Sequence, residues 1–499
     1  MLNRKGKIVC VVLLFLSFLF VFSSSWALNT FGMVTVDEIV FTFLIPQKGM
    51  NMDVIYSYIF ESLLVSILIT IIFYFLIIKD YKLKLDVNIK KFNLNCVIYP
   101  FNKFVKLFII FLMFLSSIYY SLYRLDAFGY IENQISTSWL IEDEYVDGRN
   151  IKLDFGDKKR NLIYIFLESM EFSYTTYENG GVQNVDLIDD LVKLANDNIS
   201  FSNTDKFGGA LSVPGSTWTS GAMVAHTSGL PLKLGIGDKS YSKYETFLPG
   251  AYTLGDILSD NGYNQMLMVG SDISFGGRDG YFKKHGNYQI FDVNSAIETD
   301  KMTEEDKVWW GFEDKDLFEY AKDEIMRLSD LDKPFNFTML TVDTHFEDGY
   351  LSDSCKAKYD MQYSNVISCS SDIVYDFVKW ISEQEFYDNT TVVIVGDHLS
   401  MDSDYFLNID DNYVRTIYNV FINSVVETDN IKNREFTTMD LFPTTLAAMG
   451  VGIDGDRLGL GTNLFSNEET LAERYGIDVL RSELSKKSEF YNDVFLNSK

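Results

Sequence analysis

Cysteine, histidine and positive charge are all scarce in this chain. Of 499 residues only four are cysteine and four histidine, and 43 Lys and Arg face 70 Asp and Glu, a formal net charge of −27. Four cysteines are too few for a disulfide-dense scaffold. The acidic excess speaks against nucleic acid as a partner, because a phosphate backbone needs a basic face. There is no internal repeat and no low-complexity segment, and the chain is long enough to bury a sizeable core.

What is present falls into two parts. Residues 1–150 hold 13 Lys and Arg and 12 Asp and Glu, leaving 30 and 58 for the rest, a net of −28. Three apolar stretches, about 8–27, 58–78 and 105–123, are long enough to cross a hydrocarbon layer at about 1.5 Å per residue. The first follows Arg4, Lys5 and Lys7. A cleavable signal peptide is the alternative for it, since Ser23-Ser24-Ser25-Trp26-Ala27 supplies small residues. Lys79, Lys82, Lys84, Lys90, Lys91 and Lys103 lie between the second and third stretches, whereas the loop before them holds only Lys48. The positive-inside rule then predicts an inside amino terminus, an inside basic loop and an outside remainder. Residues 1–123 read as a transmembrane anchor, 124–160 as a charged, turn-rich connector, 161–476 as an extracytoplasmic domain and 477–499 as a polar tail whose helix frays. Cys10 falls in a membrane helix and Cys96 in the inside loop, so Cys355 and Cys369, both outside, are predicted to form a disulfide.

From Asn161 onward, apolar strand-like runs alternate with helical patterns. This predicts an α/β fold, a mostly parallel sheet sandwiched by helices. Several runs end in chemistry. Asn161–Ser169 carries Glu168 at its end, Gln265–Val269 leads into Gly270-Ser271-Asp272, Phe335–Val342 into Asp343-Thr344-His345, and Thr391–Val395 into Gly396-Asp397-His398. Open α/β sheets place ligands beyond the carboxyl ends of their strands, and an Asp oxygen beside a His nitrogen suits a divalent metal. A Gly- and Ser-rich loop, 208–218, precedes Thr219 and the small residues Ser220-Gly221-Ala222, which read as a helix start packed on a sheet. A hydroxyl there has free N–H groups beside it, a natural seat for phosphate. His226 reads as a helix residue near the site, not a ligand, and His285, in Lys283-Lys284-His285-Gly286, as a solvated turn without a role.

Together, NLIYIFLES at 161–169, GSTWTSGAMVAHTSGLPL at 215–232, WGFEDKDLF at 310–318, LTVDTHFEDGYLSDSC at 340–355, VGDHLSMD at 395–402 and FTTMDLFPTTLAAMGV at 436–451 resemble the alkaline phosphatase superfamily. Within it they resemble the membrane-anchored branch of phosphoglycerol transferases and lipoteichoic acid synthases. The resemblance implies a sulfatase-like fold and a single manganese-type site, with Mg²⁺ or Zn²⁺ as alternatives, held by Glu168, Thr219, Asp397 and His398. It makes Thr219 the nucleophile, with Thr217 next among the neighbouring hydroxyls Ser216, Thr217 and Ser220. It places Arg278 and His345 on the substrate phosphate, His345 handling a proton. A second His/Asp set for a second metal is not found. The implied donor is phosphatidylglycerol and the implied acceptor an envelope glycan or a glycerol-phosphate chain, in the inner or plasma membrane of a bacterium.

Competing readings remain open. A phosphoethanolamine transferase uses similar chemistry on another lipid. A sulfatase activity is disfavoured because the Ser/Cys-x-Pro-x-Arg motif is missing: Ser212-Val213-Pro214-Gly215 is followed by Ser216. A degenerate, glycan-binding ectodomain is disfavoured by the intact ligand set.

Overall fold

The structure, a computed structural model, describes residues 3–31, 36, 39, 52–80, 83–89, 92–98, 102–233, 247–410 and 412–497. It divides into two units, one of residues 1–36 and 51–131, the other of residues 37–50 and 132–499.

Among the described residues, the smaller unit contains three helices long and apolar enough to cross a membrane: α1 (Arg4–Phe31), α2 (Val54–Ile78) and α3 (Lys103–Arg124). Its polarity is inverted relative to a water-soluble bundle. Phe60, Leu68 and Phe108 are 63%, 60% and 67% exposed, while Ser17, Ser24, Ser62, Ser66, Ser117 and Ser121 are buried. Small hydroxyls let helices approach closely and find partners in a medium without water. The Ser24 hydroxyl accordingly donates to Ser121 Oγ (3.3 Å), and Ser62 to the Phe22 carbonyl (3.1 Å). These are features of a membrane protein. Lys48, Lys82, Lys90 and Lys91, which carried part of the topology expectation, lie outside the described residues.

The larger unit is built on a six-stranded sheet. Its strands are β1 (Asn161–Leu167), β2 (Asn264–Val269), β3 (Gln289–Phe291), β4 (Phe335–Leu340), β5 (Thr390–Gly396) and β6 (Asn419–Ile422), in the order β3-β2-β4-β1-β5-β6. All neighbouring pairs are parallel except β5–β6. Every residue of β1 is buried, as a central strand covered on both faces requires. Leu162, Tyr164 and Phe166 enter one core with α4 (Thr219–Ser228), while Ile163, Ile165 and Leu167 enter another with α6 (Asp314–Ser329) and α7 (Gln362–Ser382). α5 (Arg278–Lys284) follows β2.

Three expectations need correction. The supposed connector is largely part of the domain: Leu140 and Ile141 are core residues, and Leu153–Asp154 pairs antiparallel with Gly452–Ile453. Apolar residues spaced among its charges are enough to dock it. The tail does not fray either. Leu480, Leu484, Tyr491 and Phe495 recur at helical spacing and are buried in the same core, with the Tyr491 hydroxyl donating to the Pro231 carbonyl at 2.8 Å. His285 is not solvated: its Nδ1 lies 2.8 Å from Asp256 Oδ2 and its Nε2 lies 3.0 Å from the Phe247 carbonyl. The lysines beside it stay outside while the ring turns in. The disulfide between Cys355 and Cys369 is present, tying the loop after His345 to α7.

Candidate metal centre

The register of the central strands builds the centre. Leu167 of β1 pairs with Gly396 of β5, so Glu168 and Asp397 emerge side by side. A β-carbon at position 396 would lie 1.9 Å from the Met170 carbonyl oxygen, so the strand can end there only in glycine. Glu168, Asp397 and His398 are buried, and one ligand atom from each falls within 4.8 Å of the others.

Hydrogen bonds fix which atoms face the centre. Asp397 Oδ1 accepts from the backbone N–H of Ser169 (2.8 Å) and of His398 (2.7 Å). Asp397 Oδ2 is buried without a hydrogen-bond partner among the described residues. His398 Nδ1 sits 2.8 Å from the Leu399 carbonyl, which fixes the proton there in the neutral ring and leaves a lone pair on Nε2. That Nε2 lies 3.4 Å from both Glu168 Oε1 and Asp397 Oδ2. A lone pair converging with two carboxylate oxygens in a buried pocket is an arrangement a divalent cation satisfies. The donor set fits a metal.

Thr219 opens α4 and is half-exposed. Its hydroxyl lies 3.3 Å from Glu168 Oε2 and 3.3 Å from His398 Nε2. Neighbouring hydroxyls are engaged elsewhere, Ser216 with the Val213 carbonyl (2.9 Å) and Ser220 with the Gly276 carbonyl (2.9 Å). Gly221 lets the helix sit close: a β-carbon there would lie 2.6 Å from the Gly215 oxygen. His226, on the same helix, is buried with Nδ1 3.2 Å from the Tyr164 hydroxyl, and its Nε2 has no hydrogen-bond partner among the described residues.

His345 comes from the loop after β4, and Arg278 from the first turn of α5. Arg278 is only 6% exposed, and its guanidinium donates to Ser271 Oγ, the Asp272 carbonyl and the Phe275 carbonyl, each at 2.9 Å. Burial lowers its pKa to about 10, and Glu168 is the foremost charge opposing that shift. His345 holds Nδ1 against the Phe346 carbonyl (2.7 Å), and burial among neighbouring rings pushes its pKa down despite the pull of Glu168. Both residues thus lie within electrostatic reach of Glu168. Between the metal-facing carboxylates, burial and the charge of Glu168 raise Asp397 to about 7. Burial would raise Glu168 too, but His398, His345 and hydrogen bonding with Ser169 and Asp397 together bring it below its ordinary value. One negative charge settles and the second is resisted, which a cation would relieve.

Sequence reasoning missed the frame behind the site. Tyr363 of α7 donates to the Thr344 carbonyl (3.0 Å) and pairs with Ser400 Oγ (2.7 Å), while the Tyr174 hydroxyl donates to the Ser169 carbonyl (3.1 Å). The two hydroxyls are 3.3 Å apart. This network ties together the three loops that carry Glu168, His345 and His398. In the sequence, Tyr363 sits at a helix's buried position and signals only core.

The family model described as Sulfatase matches residues 160–451, more than half of the chain. Phosphoglycerol transferase I of Citrobacter koseri is 29% identical over 348 residues, 68% of this chain and 40% of that one. The chain thus spans about two fifths of the length of the curated relatives it matches. Among solved structures, the lipoteichoic acid synthase of Listeria monocytogenes superposes with a TM-score of 0.50 at 16% identity, covering 66% of this chain and 82% of that one. The lipooligosaccharide phosphoethanolamine transferase A of Neisseria meningitidis, an integral membrane protein, does so with 0.50 at 12%, covering 90% and 85%. At these identities the two structures speak for the fold alone. The domain with its strand-end centre, and the family match across it, lead to one conclusion: the chain belongs to the Sulfatase family.

Proposed function

We propose that this chain is a membrane-anchored transferase. It moves glycerol phosphate from phosphatidylglycerol to an envelope glycan or glycerol-phosphate polymer, through a phosphothreonine at Thr219. The observation that carries the reading is the placement of the Thr219 hydroxyl, half-exposed at a helix start and 3.3 Å from two members of a buried ligand set. The likeness to phosphoglycerol transferase I supplies the substrate class, and the three apolar helices supply a reason for a lipid donor. In this reading the anchor is residues 1–123, residues 79–104 face the cytoplasm, and the domain from 161 onward lies outside in a bacterial plasma or inner membrane.

Glu168, Asp397, His398 and Thr219 hold one divalent cation, Mn²⁺ in the first instance. When bound, it supplies a Lewis acid that makes the threonine hydroxyl more acidic and offsets phosphoryl charge. Glu168 Oε2 orients the Thr219 O–H. Thr219 Oγ attacks the phosphorus, and the bond to the diacylglycerol oxygen breaks. His345, whose Nδ1 is committed to the Phe346 carbonyl, relays through Nε2 to that leaving oxygen the proton that Thr219 gives up. In the second step an acceptor hydroxyl attacks the phosphothreonine, the bond from phosphorus to Thr219 Oγ breaks, and the acceptor's proton passes through the same relay to Thr219 Oγ. Arg278, prefixed by three hydrogen bonds, stabilises the phosphoryl oxygens without reorganising.

A second reading, transfer of phosphoethanolamine, draws on the fold shared with the Neisseria protein. One experiment tests both. The full chain in lipid nanodiscs with Mn²⁺ receives headgroup-labelled phosphatidylglycerol or phosphatidylethanolamine. Diacylglycerol release from phosphatidylglycerol, with a phosphoglycerol adduct on Thr219 by mass spectrometry, is expected. Turnover of phosphatidylethanolamine alone would move the assignment to the second reading.

A further inference from the structure

The loop between β3 and α6 carries a feature that the proposed chemistry does not use. Val308 and Gly311 exchange both backbone hydrogen bonds, each 2.8 Å, closing a two-residue hairpin with Trp309 and Trp310 at its tip. Trp309 has φ +44°. Such corners belong to Gly, Asn or Asp, and a bulky aromatic residue there is strained. The hairpin is clamped onto the end of β2. The Phe312 N–H donates to the Gly270 carbonyl at 3.0 Å, and a β-carbon at Gly311 would lie 2.0 Å from that same oxygen. Backbone strain retained by a clamp is a mark of function when the strained side chain has work to do.

The side chains converge on His345. The Trp310 ring is 4.9 Å from the imidazole, Trp309 is 6.0 Å from it, and Trp309 stacks with Tyr350 at 6.2 Å and 23°. Trp309, Trp310 and Tyr350 are all half-exposed. Flat apolar faces with polar edges match a pyranose ring, which presents C–H bonds on its faces and hydroxyls around its rim. An acyl chain would match the faces but has no hydroxyl to bring to the imidazole of His345. A glycerol-phosphate chain offers no apolar face at all.

We infer that Trp309, Trp310 and Tyr350 form the acceptor subsite, and that it binds a neutral saccharide by stacking, with a ring hydroxyl delivered to His345. This rests on the proposed function for the role of His345, and it selects the glycan over the glycerol-phosphate polymer as acceptor.

The test reads binding without turnover. The full chain in nanodiscs is titrated with maltotetraose and cellotetraose, followed by saturation-transfer NMR and tryptophan fluorescence. Saturation should pass from aromatic protons to the sugar C–H protons. Trp309→Gly relaxes the backbone while deleting the ring, so it should melt no lower than the parent yet bind at least tenfold more weakly. Tyr350→Ala, from the other half of the stack, should weaken binding likewise, and Thr219→Ala should leave it unchanged. Absence of transfer to either sugar, unchanged binding in both Trp309→Gly and Tyr350→Ala, or transfer to lipid acyl protons instead would overturn the inference. A protein that binds sugar at this stack but never cleaves phosphatidylglycerol would sink the proposed function alone. One that cleaves the lipid and ignores sugars would sink the subsite alone.

Discussion

The two sides of the centre are made in different ways. On one side Glu168, Asp397 and His398 follow directly from two hydrogen-bonded central strands, and their positions are set by sheet register. On the other, His345 and the Trp309–Trp310 hairpin arrive on loops and Arg278 on the first turn of the short helix α5, held by glycine turns, aromatic contacts and a disulfide. A rigid side suits a task whose geometry is invariant, such as holding an ion and a nucleophile. A loop-built side can be reshaped for different donors and acceptors without disturbing that geometry. The contrast teaches that changes on the strand side should strike metal and turnover together. Changes on the loop side should spare the metal.

The largest effect tests the strand side. Asp397→Ala removes an anionic ligand, so bound metal, measured by elemental mass spectrometry, and turnover should fall together. Thr219→Ala should keep the metal, held less tightly, and lose turnover by about 10³-fold or more. Normal diacylglycerol release by Thr219→Ala would break the assignment and bring Thr217 forward. Next, His345→Ala should retain metal at the parental level while transfer slows by about 10²–10⁴-fold. Metal loss in that variant would erase the distinction between the two sides.

Smaller effects probe the supports. Reducing the Cys355–Cys369 bridge releases the loop after His345 and should cost about 3 kcal/mol at most in the chain-entropy picture. Calorimetry should show a lower Tm, with metal content unchanged. Tyr363→Phe deletes the hydroxyl shared by Thr344 and Ser400, a loss of about 1–2 kcal/mol. This variant sharpens the comparison most, because Tyr363 braces both sides. If only one side depended on it, either metal affinity or transfer would change, but not both.

The strand side was legible in the sequence for the reason it is rigid. Gly396-Asp397-His398 ends an uninterrupted β-branched run, and a run of that kind allows few other structures. His345 was found by the same rule, because Phe335–Leu340 is also a buried strand. Trp309 was not. Its meaning depends on a left-handed corner that Trp-Trp does not announce, and only the doubling of a residue present six times in the chain hinted at it. The tail was misread because Lys486 and Lys487 drew attention from Leu480, Leu484, Tyr491 and Phe495. Charge near a terminus says little about the apolar positions between the charges.

The way that tail docks bears on when the protein can fold. Glu144 takes Arg474 as a salt-bridge partner across 330 residues, and Tyr491 reaches Pro231 across 260. Segments made early therefore wait for segments made late before the core around β1 is sealed. Closing loops of that span is entropically costly and slow. A chain cut before residue 480 would therefore leave the apolar surface of this core uncovered on the side where Leu480, Leu484, Tyr491 and Phe495 now pack.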